Sequence, residues 1–189
     1  MTPELSRRLN ALALLVICGI LIAAFIDQLV NFDLPCPLCL LQRVGLVAVG
    51  FGLCLNLVKG PRAHHYGIIV LGAVFGGSVS IRQILLHIVP GTGSYGDPFL
   101  GLHFYTWAGL AFFCVILGAA LMLMFEKQFE YGDVQPAPFG GSALAKFAFV
   151  VILVLAAGNA VSALLECGPG ICDDPPTDYK FLEQLEQAQ

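Results

Sequence analysis

The chain has 189 residues, of which 58% are hydrophobic and only 12% are charged, and its formal net charge is −4. A soluble globular domain is roughly 45–50% apolar and about 25% charged. This composition predicts a membrane protein, because one ordinary core cannot hide so much apolar surface from water. Acidic residues crowd into the tail after Glu166, and nothing resembles the basic surface of a nucleic-acid-binding protein. We therefore expect no nucleic-acid partner.

Five apolar runs follow one another along the sequence. A helix that crosses the hydrocarbon core of a bilayer needs about 20 mainly apolar residues, and each run is long enough. The runs cover approximately residues 9–30, 40–58, 66–89, 102–125 and 144–165. We predict an all-α membrane protein. Residues 1–166 form its helical bundle, which has four core transmembrane helices plus a fifth. A C-terminal tail follows over residues 167–189. The segment GAVFG in the third run predicts a face for close helix packing.

Lysine and arginine residues indicate the direction of the helices, because they accumulate on the cytoplasmic side of short loops. With five spans, most of the loop cations fall on one side: Arg7, Arg8, Lys59, Arg62, Lys127 and Lys146. We therefore predict a cytoplasmic N-terminus and a periplasmic C-terminus. The first run is long for a secretory signal and no A-x-A-like cleavage site follows it, so we expect it to be retained as a helix.

The cysteines divide into two groups by their depth in the predicted membrane. Three lie inside apolar runs, where cysteine behaves as a small hydrophobic residue: Cys18, Cys54 and Cys114. The other four form two pairs on the predicted outer face: Cys36/Cys39 and Cys167/Cys172. Disulfides persist in an oxidising compartment such as the periplasm, so two pairs on that face predict thiol–disulfide chemistry.

The first pair stands in the segment DLPCPLCLLQR, at the start of the second run. If a helix begins near Cys39, its macrodipole and Arg43, one turn later, both favour a thiolate at Cys39. Cys36 precedes that helix, so we expect it to be the more exposed sulfur and the one that meets an incoming thiol. Cys39 then faces the membrane, where a quinone can accept the two electrons of a dithiol. Arg43 either donates hydrogen bonds to a quinone oxygen or is an interface cation that reaches for water.

The second pair stands in the segment ECGPGICDD, after the fifth run. Gly-Pro-Gly between the two cysteines can turn the chain back, so a bond between Cys167 and Cys172 is geometrically plausible. That bond would close a very small loop and would stabilise the fold by roughly 2 kcal/mol. Either it fixes only the start of the tail, or the pair exchanges with Cys36.

Three segments resemble the DsbB family of membrane proteins: PCPLCLLQR, LGLHFYTW and ECGPGIC. Cys36, Cys39 and Arg43 fall on the C-x-x-C-x-x-x-R of that family, which reoxidises the periplasmic dithiol oxidase DsbA with quinone. The resemblance implies that Cys39 faces the quinone (ubiquinone or menaquinone), that Arg43 helps to bind it, and that Cys36 exchanges with a second cysteine pair. It implies a location in the bacterial inner membrane. The implied partners are a periplasmic DsbA-like oxidase of the thioredoxin fold and the membrane quinone pool.

The arrangement departs from the best-known members of that family in one respect. Those members have four spans and carry their second cysteine pair between helices three and four. Here that loop, HIVPGTGSYGDPFLGLH, contains no cysteine, and the second pair follows the fifth run. Because a pair after a fifth span lies on the same side of the membrane, Cys167 and Cys172 are candidates for the same task.

Polar and aromatic residues near the outer ends of the third and fourth runs are further candidates. Arg82 lies within the third run, and ionisable residues inside a membrane are functional candidates by default. It either takes part in quinone binding or helix pairing, or extends to the interface. His87 stands near the same end and is a candidate for the quinone site as a proton-handling group. His103, Tyr105 and Trp107 form an interfacial aromatic belt or line that site.

Two other functions remain open. A quinone reductase of the vitamin-K-epoxide-reductase type also places a C-x-x-C at the end of a helix bundle, but it usually carries two further loop cysteines after its first helix, and this chain has none there. A membrane protein that binds metal is the non-enzymatic alternative, since the two pairs could supply four thiolates to zinc. Such a site would need reduced cysteines in an oxidising compartment and would give Arg43 no task. We therefore favour a quinone-linked thiol–disulfide oxidoreductase and predict no metal.

Overall fold

The structure is a computed structural model that describes residues 1–89, 91–94, 96, 98–130 and 138–187. Within those ranges the chain forms six α-helices and no β-strand. The helices are α1 (Pro3–Val30), α2 (Pro37–Lys59), α3 (Ala63–His87), α4 (Phe104–Leu123), α5 (Ala143–Cys167) and α6 (Lys180–Gln187). Two short 3₁₀ helices, Glu126–Phe129 and Pro138–Gly141, lie between α4 and α5. Parts of the predicted connections and tail lie outside the described residues: Pro90, Tyr95, Asp97, 131–137 and 188–189.

Helices α1 to α5 are each long and apolar enough to cross a membrane. The prediction of an all-α membrane bundle is thereby confirmed. The helices extend beyond the apolar runs where a cap is present. The Thr2 side chain accepts a hydrogen bond from the backbone N of Leu5 at 3.3 Å, so α1 begins at Pro3. Helix α2 begins at Pro37, because Cys36 occupies its N-cap.

Helix α2 lies at the centre of the bundle and contacts α1, α3, α4 and α5. Its closest approach is to α3, where glycines let the two backbones meet. A Cβ added to Gly45 would lie 2.7 Å from Cα of Gly76, and one added to Gly72 would lie 3.0 Å from the backbone N of Val49. Gly72 and Gly76 are the two ends of the GAVFG segment. The predicted packing face is therefore used, against α2.

Helix α5 packs against α1 and α2, and its buried face changes character along its length. The buried residues are apolar in the first half and mainly polar in the second: Ala145, Ala148, Ile152, Asn159, Ser162, Glu166 and Cys167. The helix ends at Cys167 because Gly168 adopts a φ of +62°, a conformation that favours glycine. The polar half of α5 thus lies at the end of the bundle where α2 begins.

A second set of buried polar side chains lies at the opposite end, where α1 and α3 begin. We call it the inner polar cluster: Ser6, Asn10, Asn56, His65, Tyr66 and Gln128. The Tyr66 hydroxyl donates to Gln128 Oε1 at 3.0 Å and accepts from Asn10 Nδ2 at 2.9 Å. Asn56 Nδ2 donates to Asn10 Oδ1 at 2.8 Å. Hydrogen bonds therefore join α1, α2, α3 and the first 3₁₀ helix at this end.

Candidate redox site

The first cysteine pair lies at the beginning of α2. Cys36 is the N-cap residue, and its Sγ accepts a hydrogen bond from the backbone N of Cys39 at 3.2 Å. The two Sγ atoms lie 2.6 Å apart, and neither cysteine is in a disulfide. Because a disulfide needs about 2.05 Å between its sulfurs, the pair can form one with little movement of the backbone.

The exposure of these two sulfurs is the reverse of the prediction. Cys36 is only 2% exposed, whereas Cys39 is partly exposed. The expectation that Cys36 is the more accessible residue is wrong, because the N-cap side chain folds back over the first turn of α2 and lies against Gln83 of α3. Its hydrogen bond with the Cys39 side chain, together with burial, raises the pKa of the Cys36 thiol above its ordinary value. Cys36 therefore keeps its proton at neutral pH.

Gln83 and Gln42 form a pair of amides beside the two sulfurs. Gln83 Nε2 donates to Cys36 Sγ at 3.2 Å and to Cys39 Sγ at 3.5 Å. Gln42 Nε2 donates to Gln83 Oε1 at 2.7 Å, which fixes the direction of the Gln83 amide. Neither glutamine is among the site residues predicted from the sequence. The signal was available, since a glutamine inside an apolar run must find a hydrogen-bond partner within the bundle.

Arg43 points into the bundle and is only 6% exposed. Its Nη1 donates to Gln28 Oε1 at 2.7 Å, and its Nη2 donates to the carbonyl oxygen of Ala24 at 3.0 Å. Its guanidinium carbon lies 5.2 Å from the centre of the Phe25 ring, a cation–π distance. All three contacts belong to α1. The alternative of an interface cation that reaches for water does not agree with this burial.

Two carboxyl groups interact electrostatically with Arg43, one from α1 and one from α5. Asp27 accepts a hydrogen bond from Asn31 Nδ2 at 2.9 Å. Glu166 is only 4% exposed, and neither of its carboxylate oxygens has a hydrogen-bond partner among the described residues. A buried carboxylate is costly unless it is paired, and within the described residues no cation lies at ion-pair distance from Glu166. The sequence pattern assigns Glu166 only to the start of the acidic tail and does not predict that its side chain is buried.

A cavity of about 480 Å³ lies beside the two cysteines. Cys36, Cys39 and Arg43 all line it, and so does Asp27. Most of its remaining wall is apolar or aromatic and comes from α1, α2 and α4: Ile20, Leu46, Phe104, Tyr105, Trp107 and Leu110. Of the predicted aromatic residues, Tyr105 and Trp107 therefore line the site. The structure brings a dithiol, a buried cation and an apolar space together.

Arg82 and His87 lie elsewhere. Arg82 is exposed on α3. His87 Nδ1 lies 3.1 Å from the carbonyl oxygen of Gly93, and its ring centre lies 5.6 Å from that of Tyr105. Among the described residues the lining of the cavity includes neither of them. His87 thus contacts Tyr105, which lines the cavity. The structure gives no support for direct binding of quinone by Arg82.

The second cysteine pair forms a disulfide at the end of α5. Cys167 and Cys172 are bonded, with 4.3 Å between their Cα atoms. Lys180 Nζ, on the first residue of α6, lies 2.7 Å from Asp173 Oδ1 and donates to the carbonyl oxygen of Ile171 at 3.2 Å. Helix α6 is therefore tied back to the disulfide loop. Within the described ranges no group of three His, Cys, Asp or Glu side chains is placed to hold a metal ion.

Comparison with known proteins agrees with this arrangement. The sequence model of the family described as "Disulfide bond formation protein DsbB" matches residues 6–162. The chain belongs to the DsbB family. The match includes the first cysteine pair and ends before the second, so the tail disulfide lies beyond the part that the DsbB model covers. The predicted resemblance is confirmed, and the protein is a multi-pass membrane member of a disulfide bond formation family.

Curated DsbB relatives match shorter stretches. Disulfide bond formation protein B of Marinobacter nauticus is 37% identical over 89 residues, which cover 45% of this chain and 53% of the relative. That of Chromobacterium violaceum is 40% identical over 60 residues, covering 30% of this chain and 36% of the relative. Disulfide bond formation protein B 1 of Pseudomonas aeruginosa is 30% identical over 89 residues, covering 44% and 54%. The chain thus spans about half the length of these DsbB relatives, or less. No solved structure matches the chain significantly.

Proposed function

We propose that this DsbB-family protein is a quinone-dependent thiol–disulfide oxidoreductase of the bacterial inner membrane that reoxidises a periplasmic DsbA-like oxidase. The observation that carries the proposal is the shared cavity, which Cys36, Cys39 and Arg43 line together. A dithiol in the wall of an apolar cavity is suited to a lipid-soluble electron acceptor. A cation beside it stabilises the negative charge that develops on the acceptor during reduction.

The residues around the cavity fit a quinone. A volume of about 480 Å³ lies within the range of roughly 300–1,000 Å³ that is usual for small-molecule sites. Tyr105 and Trp107 offer flat apolar surfaces for a ring, and Arg43 offers a charged donor for a carbonyl oxygen. Bound quinone would accept the two electrons and two protons that the Cys36/Cys39 dithiol releases as it forms a disulfide. The proposal includes ubiquinone and menaquinone alike.

Electrons enter by thiol–disulfide exchange. A thiolate of the electron donor, which is the Cys167/Cys172 dithiol once the partner has reduced it or a small dithiol in its place, attacks the Cys36–Cys39 disulfide at Cys36. A mixed disulfide forms, and the second thiol of the donor displaces Cys36. The donor is left with a disulfide and Cys36/Cys39 with a dithiol, so electrons and protons balance. Because Cys36 is 2% exposed, the structure around it must open before the attack.

We further propose that Cys167 and Cys172 relay electrons between the partner and Cys36. Two observations support the relay over a purely local staple. Helix α5, which ends at Cys167, packs against both α1 and α2, the helices that flank Cys36. Ile171, next to Cys172, is 90% exposed, so the disulfide loop is open to a protein partner. The same assignment makes residues 1–166 the membrane bundle and residues 167–189 a periplasmic tail.

The orientation is part of the proposal. The loop cations favour a cytoplasmic N-terminus and a periplasmic C-terminus, which puts both cysteine pairs on the oxidising side. The orientation is tested by membrane-impermeant thiol labelling of two variants, one that retains only Cys36 and one that retains only Cys172. Each variant is kept reduced and partly unfolded. Both positions should be labelled from the periplasm. Labelling of Cys172 from the cytoplasm would contradict five spans.

The function is tested by thiol trapping on membranes with and without a quinone analogue. In wild-type protein, quinone should convert the Cys36/Cys39 dithiol to a disulfide. Cys39→Ser should abolish quinone reduction, and Arg43→Ala should raise the apparent quinone KM by roughly 10-fold or more, because a hydrogen bond to a charged donor contributes about 1.5–3 kcal/mol. Cys54→Ala, in the packed core, is the matched control. If the Cys36/Cys39 dithiol of wild-type protein stays reduced when quinone is added, the proposal is refuted.

A further inference from the structure

Arg43 is held by hydrogen bonds that lead out of the cavity to the fifth helix and the tail. Arg43 Nη1 donates to Gln28 Oε1 at 2.7 Å. Gln28 Nε2 donates in turn to Ser162 Oγ on α5 at 2.8 Å and to the hydroxyl of Tyr179 in the tail at 3.2 Å. One amide therefore joins the guanidinium at the cavity to two hydroxyls that the cavity lining does not include among the described residues.

The orientation of the Gln28 amide depends on those two hydroxyls. A guanidinium has only donors, so Gln28 must turn its oxygen toward Arg43 and its NH₂ group toward α5 and the tail. Gln28 is 3% exposed and Ser162 is 9% exposed, so water cannot easily replace the Ser162 hydroxyl, whereas Tyr179 is partly exposed. A buried NH₂ group without an acceptor is unfavourable. Loss of the hydroxyls therefore favours rotation of the amide, which takes its oxygen away from Arg43.

Helix α5 adds an electrostatic contribution on the same side. Glu166 lies one turn after Ser162 on the buried face of α5, and its carboxyl group interacts electrostatically with Arg43. Asp27 interacts with Arg43 from α1 and also lines the cavity. The guanidinium thus interacts electrostatically with one carboxyl on α1 and a second on α5. Helix α5 and the tail supply the second of these and both hydroxyls that hold Gln28.

We propose that Ser162, Tyr179 and Gln28 are positioning residues of the quinone site, through which the fifth helix and the tail fix Arg43 toward the cavity. The inference deepens the proposed function and rests on it. Tyr179 belongs to the tail that begins at the Cys167–Cys172 disulfide. Opening that disulfide frees the tail, loosens Tyr179 from Gln28 and weakens quinone binding. The affinity for quinone therefore depends on the redox state of a cysteine pair outside the cavity.

The test is the quinone KM of variants that do not touch the cavity, measured with a short-chain ubiquinone analogue and a small dithiol as reductant. Tyr179→Phe and Ser162→Ala each remove one acceptor and should raise KM by roughly 2- to 10-fold, as expected for one hydrogen bond, with kcat unchanged. Gln28→Leu should raise it further. Tyr66→Phe, in the inner polar cluster, and Ser80→Ala, whose hydroxyl donates within its own helix, are the matched controls and should leave KM unchanged.

A second measurement reports the contact without any turnover. Amide hydrogen exchange at Leu182 and Glu183, whose backbone N–H groups donate to the carbonyl oxygen of Tyr179, should be faster in Gln28→Leu than in wild-type protein. If quinone is reduced and Arg43→Ala raises its KM, but Tyr179→Phe and Ser162→Ala change only thermal stability, the inference is overturned and the proposed function stands. Unchanged tail exchange in Gln28→Leu also overturns it. If wild-type protein does not reduce quinone, the proposed function fails and the inference falls with it.

Discussion

The side-chain nitrogen of Gln83 lies 3.2 Å from the sulfur of Cys36. The same nitrogen donates to Cys39 Sγ at 3.5 Å, and the Gln83 side chain has no exposed surface. A donor held at this distance stabilises a sulfur that carries negative charge. Attacking and leaving sulfurs both carry such charge during disulfide exchange. Gln83 is therefore placed to assist both directions of the reaction at the first cysteine pair.

Replacing Gln83 by Met keeps a side chain of similar length and removes the donor. We expect the single-turnover rate of disulfide formation at Cys36/Cys39 to fall roughly 10-fold, since hydrogen bonds to charged groups contribute about 1.5–3 kcal/mol. Rapid quenching with a thiol-alkylating reagent measures the rate. Gln128→Met, the same change in the inner polar cluster, is the control. Equal rates in Gln83→Met and wild-type protein would show that the donor has no part in exchange.

The raised pKa of Cys36 predicts how its alkylation depends on pH. Only the thiolate is alkylated, so the rate for Cys36 in folded, reduced protein should increase at a higher pH than for the same residue in unfolded protein. The largest cause of the raised pKa is the hydrogen bond with the Cys39 side chain. Cys39→Ala removes it, and the alkylation curve should move toward lower pH. A curve that stays in place would assign the raised pKa to burial alone.

The tail disulfide can be separated from the cavity chemistry by its substrates. The double variant Cys167→Ser/Cys172→Ser should lose oxidation of the protein partner and still oxidise a small dithiol through Cys36/Cys39, with a raised quinone KM because its tail is no longer closed by the disulfide. Partner oxidation is followed by gel shift, and small-dithiol oxidation by quinone absorbance. A Cys36–Cys167 or Cys36–Cys172 mixed disulfide should be trapped once the remaining partner cysteines are mutated. Normal oxidation of the partner by the double variant would show that the tail disulfide only stabilises the local structure and does not relay electrons.

The contact between α3 and α4 predicts opposite results for two adjacent glycines. A Cβ on Gly76 would overlap the ring of Phe112, whereas a Cβ on Gly77 would lie 3.5 Å from Phe112 Cβ, an ordinary contact. Gly76→Ala should destabilise the bundle by about 1–3 kcal/mol through overpacking. Gly77→Ala should be neutral or should stabilise it by up to about 1 kcal/mol through helix propensity. Thermal unfolding in detergent compares the two. Equal effects would mean that Phe112 does not pack on Gly76.

The membrane bundle was predictable because hydropathy reports directly on the solvent around a helix. Five apolar runs gave five helices, with boundaries displaced mainly where a cap such as Thr2 or Cys36 extends the first turn. Cys39 and Arg43 came together as expected, since a spacing of four residues places both on one face of a helix. Local sequence was sufficient for these statements.

The partners across helices were not predictable. Gln83 meets Cys36, and Gln28 meets Arg43, only because α3 and α1 pack beside α2 at particular rotations. The rotation of one helix relative to its neighbours cannot be inferred from a single sequence. The relative exposure of Cys36 and Cys39 was inferred wrongly for a related reason. A residue that precedes a helix is not necessarily exposed. Cys36 is buried because it caps α2 and because a neighbouring helix covers it.

The burial of Cys36 limits how fast electrons can enter the protein. A sulfur that is 2% exposed can be attacked only during the fraction of time in which local motion exposes it. With excess dithiol, turnover would reach a ceiling equal to the opening rate, and that ceiling would be the same for every dithiol supplied. Stray thiols and small oxidants meet the same restriction. Burial of Cys36 thus slows unproductive exchange, and under the proposed function the motion that exposes it would set the rate of electron entry.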